Sequence, residues 1–344
     1  MADQPDAERA FKAMWRRMLA DPSAVDLNKA NFDYGMEAVA PGVLLRMAKM
    51  QACFRPTREN QQHVLSVARL DYGRRARTGV LPRLPSVRTI DFGDGLSLRF
   101  AVHPASDFFM QRVLPADGVH EPELVEYLKR TLRQRDVVVD IGAHVGYVSC
   151  IAAALGATVI AVEMQPTLIP IIQVNAALND LWTVHALCAA LGDRNGMVPA
   201  YRINPSPGTQ SAVWHWETSK FPFGSVNHDC IPCLTLDSLF PGPELPALVK
   251  VDVEGAEGRV LAGAGELIRK RRTRFMVEVH AHLLSKYATR LPDLLAPFDA
   301  DGWTLSMLTA DGLRPLSREA FVDPEGPIAT HAHNAPVLFE PRTG

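Results

Sequence analysis

A short run of β-branched apolar residues, Val137 to Ile141 with Asp140 as its one polar member, leads directly into a glycine turn and then into a helical segment. Such a run is expected for a strand that is buried on both faces of a sheet. The turn spans Asp140 to Gly146, and Tyr147 to Leu155 has helical periodicity. A strand, a tight turn and a helix in this order make the first part of a βαβ unit, which constrains the chain to a sheet covered by helices.

The same alternation continues to the C-terminus. Thr167 to Leu178 and Ala256 to Lys270 are predicted helices. Repeated βα units predict an α/β fold: a mostly parallel, seven-stranded sheet with helices on both faces. Ligands of such sheets bind beyond the carboxyl ends of the strands, so residues just after each strand are the candidates for function. The other predicted strands are Thr158 to Val162, Val184 to Leu191, Leu248 to Val253, Phe275 to Val279, Trp303 to Leu308 and Pro336 to Phe339.

The chain before this sheet has a different pattern. Helical stretches dominate it, and Pro82 and Pro85 separate it from the rest of the chain. We predict an N-terminal helical region over residues 1–85 and a second domain over residues 86–344. The second domain opens with a β-hairpin, Val87 to Phe92 and Leu96 to Val102, around a Gly-Asp-Gly turn.

Composition restricts the partners and the location of the protein. The formal net charge is −2 in 344 residues, which does not favour nucleic acid as a partner. No segment is apolar for long enough to be a membrane span, and the N-terminus does not resemble a signal peptide. Five cysteines, an odd number, indicate reduced thiols and a cytoplasmic protein. Cys230 and Cys233 form a C-x-x-C pair without a partner pair at zinc spacing.

The glycine turn has the spacing Asp-x-Gly-x-x-x-Gly from Asp140 to Gly146, unlike the Gly-x-Gly-x-x-Gly that holds a pyrophosphate. The carboxylate of Asp140 would repel a phosphate and suits a cationic ligand. Gly142 lets the backbone turn sharply and lets a ligand approach closely. Glu163 follows the second strand about 20 residues on, where an acidic residue in these folds bonds ribose hydroxyls.

Charged residues also mark the fourth and fifth predicted strands. Alternation places Lys250, Asp252 and Glu254 on one side of the fourth strand, either as a buried ion pair or as part of a reaction site. Glu278 and His280 share a face of the fifth strand, and a His beside a carboxylate can act as a base. A divalent metal between Asp252 and Glu278 is an open alternative, but no clear ligand cluster requires one, so we predict no metal.

The connection from Asn195 to His228 is longer than usual and carries several aromatic residues. Two interpretations are open for it. It can form a wall or lid of the substrate site, or it can be an extra hairpin that covers the core.

The sequence resembles the FkbM family of methyltransferases. The resemblance rests on residues 138–147 (VVDIGAHVGY), 234–239 (LTLDSL) and 250–257 (KVDVEGAE), and residues 278–280 and 334–341 agree with it. It covers roughly the hairpin near residue 87 to the C-terminus. His144 departs from the pattern, since the family usually has Asn there.

The resemblance implies a class I methyltransferase sheet with a Rossmann-like arrangement, S-adenosylmethionine as the methyl donor, and O-methylation of a hydroxyl on a sugar, a glycan or a secondary metabolite. Ala190 to Asp193 would lie near the adenine. We take His280 as the base, with Glu278 orienting it and Asp252 as second choice, and Glu254 facing the reacting centre. The cofactor-binding candidates are Asp140, Gly142, Ala143, His144, Gly146, Glu163, Asp193 and Asp252.

Two other functions fit the same fold class. One is an NAD-dependent oxidoreductase, which the missing Gly-x-Gly-x-x-Gly disfavours. The other is a non-catalytic binding module that keeps the cofactor fold. The expected partner is a small-molecule or glycan acceptor, and the N-terminal helices could form a homodimer contact.

Overall fold

The computed structural model describes residues 86–102, 118–166, 168–202, 214–216, 228–331 and 334–342. All of them belong to one compact unit, Ser86–Gly344. The predicted N-terminal helical region lies outside the described residues, so the division of the chain at residue 85 stays a prediction. Within the described part, no helix has the length and apolarity that crossing a bilayer requires.

The strands and helices follow one another in the predicted alternation. In chain order the strands are β1 Ser86–Asp91, β2 Ser97–Val102, β3 Val137–Ile141, β4 Thr158–Glu163, β5 Val184–Cys188, β6 Ala190–Leu191, β7 Gly196–Arg202, β8 Trp214–Trp216, β9 His228–Leu234, β10 Leu248–Val251, β11 Arg274–Val279, β12 Trp303–Thr309, β13 Gly312–Pro315 and β14 Ala335–Pro341. The helices are α1 Pro122–Thr131, α2 Tyr147–Ala154, α3 Ile169–Leu178, α4 Leu236–Leu239, α5 Glu257–Ala262, α6 Gly265–Arg269, α7 Leu291–Leu295 and α8 Arg318–Val322, with a 3-10 helix at Leu284–Tyr287.

The central sheet has eight strands in the order β13-β12-β14-β11-β10-β3-β4-β5. Neighbours from β11 to β5 are parallel, and β14 runs antiparallel between β11 and β12. The mostly parallel sheet is therefore confirmed. The eighth strand, β13, was not predicted because it is a short, exposed return strand after β12.

Helices cover both faces of this sheet. On one face, alternate residues of β3, β10 and β11 pack with apolar residues of α5 to α8. On the other face, Ala161 of β4 packs against Ile169 and Ile172 of α3. Pro170 lies in the first turn of α3, where its missing N–H breaks no helical hydrogen bond.

Two predicted elements are each split into two in the structure, one helix and one strand. The helix predicted over Ala256–Lys270 is interrupted between α5 and α6, because a Cβ on Gly263 would lie 1.9 Å from the carbonyl oxygen of Gly192. The strand predicted over Val184–Leu191 ends at Cys188, and β6 joins a second sheet. The fourth strand, β10, ends at Val251 rather than at Val253.

The second sheet has four strands in the order β6-β9-β7-β8. It contains the described part of the long connection after Asn195, in which β7 pairs antiparallel with both β8 and β9. The interpretation of this connection as an extra hairpin is therefore confirmed for these strands. Residues 203–213 and 217–227 lie outside the described part, so a substrate wall stays a prediction.

Candidate active site

The carboxyl ends of β3, β4, β10 and β11 meet at one edge of the central sheet, because these strands are parallel neighbours. The glycine turn follows β3, Glu163 ends β4, and Asp252 follows β10 directly. The backbone N–H of Asp252 donates to the carbonyl of Ile141 at 3.0 Å. The sheet therefore brings the predicted cofactor turn next to the predicted reaction residues.

Position 142 has to be glycine because the backbone of Asp252 passes very close to it. Its φ is +79°, and a Cβ at this position would lie 1.8 Å from the carbonyl oxygen of Asp252. The N–H groups of Gly142 and Ala143 both donate to the carbonyl of Val162, at 2.9 and 3.0 Å. The neighbour for which Gly142 makes room is thus Asp252, whereas the sequence suggested a ligand.

Gly146 serves the packing of two helices. Its φ is also +79°, and a Cβ here would lie 3.0 Å from Ile172 Cγ2 in α3. The residue precedes α2, so it lets α2 begin against α3. The tight contact at Gly146 therefore lies between α2 and α3.

Glu163 holds the glycine turn in place. One carboxylate oxygen accepts from the backbone N–H of His144 at 2.9 Å, and the other accepts from that of Gln165 at 2.8 Å. Glu163 is buried, and this burial raises its pKa above the usual value. A carboxylate oxygen has a second lone pair, so these two bonds leave acceptor capacity for ribose hydroxyls.

His144 occupies the left-handed region with a φ of +52°. Among residues other than glycine, Asn, Asp and His enter this region most readily. The change from the Asn of the family to His144 therefore keeps the backbone conformation of the turn.

Asp140 is buried below the turn with 1% of its surface exposed. Its Oδ2 accepts from the hydroxyl of Ser149 at 2.6 Å, while Oδ1 has no hydrogen-bond partner among the described residues. Burial raises the pKa of Asp140, and the charge of Lys250 opposes this effect. The contact of Asp140 with a cationic ligand at the turn stays a prediction.

Lys250 and Asp252 form the buried ion pair that the sequence left open. Lys250 Nζ lies 2.9 Å from Asp252 Oδ2. Burial lowers the pKa of Lys250, but the charges of Asp252 and Asp140 raise it by more. Burial raises the pKa of Asp252, but Lys250 lowers it further, to below the usual value. Both groups of the pair are therefore charged at neutral pH.

His280 is held by Glu257, a residue that the sequence did not single out. Its Nδ1 lies 2.7 Å from Glu257 Oε1, and the two side chains are buried, with 1% and 0% exposed. Burial lowers the pKa of His280, but the bond to Glu257 and the neighbouring carboxylates raise it, to about 9. The sequence pattern placed Glu257 only at a helix start, and 23 residues separate it from His280.

Glu278 does not orient His280 through its side chain, and that part of the prediction is wrong. Its Oε1 accepts from the side-chain amide of Asn334 at 2.8 Å, and only its backbone carbonyl lies near His280 Nδ1, at 3.1 Å. Burial and the charge of Asp252 raise the pKa of Glu278 to about 8. Glu278 still lies in the same cluster as Asp252 and His280.

The remaining predicted residues, Glu254 and Asp193, have partly exposed side chains. Glu254 is half exposed, and its Oε2 lies 3.7 Å from His280 Nε2. Its φ of +54° is left-handed. Asp193 follows β6, has a side chain that is 41% exposed and lies 3.9 Å from Arg194, so its cofactor contact stays a prediction.

The segment of His120 and Glu121 lies near the site and was not predicted from the sequence. The hydroxyl of Tyr147, at the start of α2, donates to the carbonyl of His120 at 3.0 Å and accepts from its N–H at 3.1 Å. The next residue, Glu121, acts by its charge on Asp140, Lys250 and Glu278. No pattern in the sequence indicated a role in the site for Glu121.

The model of the methyltransferase FkbM domain matches residues 140–297. This part of the chain is therefore similar to the methyltransferase FkbM domain. The cofactor of the domain is S-adenosylmethionine, as the resemblance implied. The strand order, with β14 antiparallel beside β11, is that of the expected class I methyltransferase sheet. The match supports a methyltransferase over a nicotinamide-dependent oxidoreductase.

Three solved structures are similar to the chain at low identity. A methyltransferase FkbM from Methylobacillus flagellatus is 15% identical, with 61% of this chain and 45% of that chain covered and a TM-score of 0.36. A precorrin-6y methyltransferase from Geobacter metallireducens is 14% identical, with 67% and 93% covered and a TM-score of 0.35. A 16S rRNA methyltransferase from T. thermophilus, in complex with AdoMet and guanosine, is 16% identical, with 76% and 52% covered and a TM-score of 0.39.

The chain spans less than half of the length of the FkbM methyltransferase and about half of the rRNA methyltransferase. No curated protein matches the sequence. The expectations of a cytoplasmic protein, of a homodimer and of no nucleic-acid partner stay predictions.

Proposed function

We propose that this chain transfers the methyl group of S-adenosylmethionine to a hydroxyl of a sugar, a glycan or a secondary metabolite. The observation that carries the proposal is that Asp252 contacts both the cofactor turn and the cluster of candidate reaction residues. Its carbonyl lies against Gly142 of the cofactor turn, and its carboxylate lies in a cluster with Glu278 and His280. A donor at the turn and an acceptor at the cluster would therefore be neighbours.

The cofactor would be held by the turn and by the acid after β4. Asp140, with its unsatisfied Oδ1, is assigned to the ammonium group, and Glu163 to the ribose hydroxyls. S-adenosylmethionine supplies a methyl group that is already activated on a sulfonium. The turn residues Gly142, Ala143, His144 and Gly146 shape this pocket, with Asp193 near the adenine.

The protein has two tasks at the acceptor. Positioning the hydroxyl in line with the methyl group can supply up to roughly 7–11 kcal/mol of the acceleration. The hydroxyl also has to lose its proton, and the cluster of Asp252, Glu278 and His280, with Glu254 at its rim, is assigned to this task. A carboxylate or imidazole of this cluster would accept the proton as a general base.

The test compares His280→Asn with His185→Asn in the full chain. His185 is an exposed histidine on β5 and serves as the matched control. Transfer from labelled donor is measured against a panel of hydroxylated acceptors, while binding of S-adenosylhomocysteine is followed by calorimetry. We expect His280→Asn to lose about 100-fold or more of the transfer rate, the usual range for groups that assist proton transfer.

Binding of S-adenosylhomocysteine should stay within about threefold in both variants, because neither His280 nor His185 is assigned to the cofactor. A threefold change in affinity corresponds to less than 1 kcal/mol. If His280→Asn transfers methyl as fast as His185→Asn, the assignment of the cluster is wrong. If the unmodified chain binds the cofactor but methylates no acceptor in the panel, the chain acts as a binding module and the proposed function fails.

A further inference from the structure

Three ligand-type side chains converge at the ends of β10 and β11. One atom each of Asp252, Glu278 and His280 lies within 4.8 Å of the others. Glu254 Oε2 adds a fourth group, 3.7 Å from His280 Nε2. Two atoms bound to one ion at about 2.1 Å lie about 3 to 4 Å apart, so these spacings are close to those of a metal site.

The imidazole of His280 points to a ligand more directly than the acids do. It is 1% exposed, and its Nε2 has no hydrogen-bond partner in the part of the chain that the structure describes. The atom faces Asp252 Oδ1 at 3.8 Å and Glu254 Oε2 at 3.7 Å, too far for hydrogen bonds. A buried polar nitrogen without a partner costs free energy, and an ion among these oxygens would remove that cost.

The neighbours of the cluster orient every ligand toward the same point. Glu257 holds His280 Nδ1, which leaves Nε2 toward the cluster. Lys250 holds Asp252 Oδ2, which leaves Oδ1 toward His280. Asn334 holds Glu278 Oε1 and leaves the other oxygen. A carboxylate on the far nitrogen of a ligating His is the usual outer support of a metal site.

From this geometry we propose that Asp252, Glu278 and His280 bind one divalent cation, with Glu254 at the open side. An imidazole nitrogen with two or three carboxylate oxygens suits Mn²⁺ and similar ions better than Ca²⁺, which takes oxygen ligands. The role of the ion rests on the proposed function: a divalent cation lowers the pKa of a hydroxyl that it contacts. The binding of the ion does not depend on that function.

The experiment is an EPR titration of the full, metal-stripped chain with Mn²⁺, in which the sharp signal of the free ion reports binding. We expect one ion per chain. Asp252→Asn and His280→Asn should each weaken binding by tenfold or more, whereas Asp311→Asn and His185→Asn, which are exposed, should bind as the unmodified chain does. Glu257→Gln, which changes no ligand, should weaken binding about 10- to 100-fold through the orientation of His280.

The Mn²⁺ titration of the unmodified chain is enough to overturn the proposal, so the test does not depend on whether a variant folds. Failure to bind Mn²⁺ stoichiometrically, or equal binding by Asp252→Asn and Asp311→Asn, means that the cluster is an ion-pair network with a protonated His280. If methyl transfer then proceeds without added metal, the proposed function survives and only the metal site is lost. Binding of Mn²⁺ without transfer to any acceptor leaves the metal site standing and removes the proposed function.

Discussion

At the scale of single residues, the candidate site is built on backbone positions as much as on side chains. Gly142 and His144 both adopt left-handed conformations, and each is tied to a different neighbouring strand. Gly142 lies against the carbonyl of Asp252, and the N–H of His144 donates to Glu163. The turn is therefore a junction that links β3 to β4 and to the end of β10.

Replacement of Gly142 by alanine tests this junction. Gly95 is the matched control, since its φ is the same, +79°, and no atom lies within 4 Å of its Cβ position. We expect Gly95→Ala to cost about 1 kcal/mol, the strain of the left-handed backbone. Gly142→Ala should cost about 3 kcal/mol or more, because the contact with Asp252 adds overpacking to the same strain.

The free energy of unfolding of both variants is measured by chemical denaturation. The difference between them reports the backbone contact alone, since both carry the same φ. Equal losses in the two variants would show that β10 does not approach the turn as described.

At the scale of elements, the break between α5 and α6 is set by one glycine. Gly263 packs against the backbone of Gly192, which directly follows β6 of the second sheet. A continuous helix would need a better helix former at this position, and any side chain would collide with Gly192. The close approach thus determines where α5 ends.

Gly263→Ala should therefore destabilise the protein by about 1–3 kcal/mol, the usual cost of overpacking. Gly265→Ala, two residues on, is the matched control: nothing lies within 4 Å of its Cβ position at the start of α6. It should stabilise by about 0.5–1 kcal/mol, because alanine is the better helix former. A shift of the denaturation midpoint in the same direction for both variants would contradict this account of the break.

At the scale of the whole molecule, the sequence predicted what depends on local periodicity. The alternation from Val137 onward yielded the parallel sheet, and the acids at the strand ends yielded most of the candidate site. The partner of His280 could not be predicted, because Glu257 reaches it only through the packing of α5 beneath β11. The reason for Gly142 was hidden likewise, since it depends on the register of β3 and β10. Sequence spacing does not reveal such contacts between distant segments.

The most direct test of the central claim is calorimetric titration of the full chain with S-adenosylhomocysteine and with NAD. We expect one binding site for S-adenosylhomocysteine and none for NAD. Glu163→Gln should weaken this binding by about tenfold or more, because the amide puts a donor against a backbone N–H and can satisfy only one of the two. Glu325→Gln, on the exposed surface, should leave it unchanged. Binding of NAD alone, or equal affinity in the two variants, would contradict the assignment of the glycine turn and Glu163 as a cofactor site.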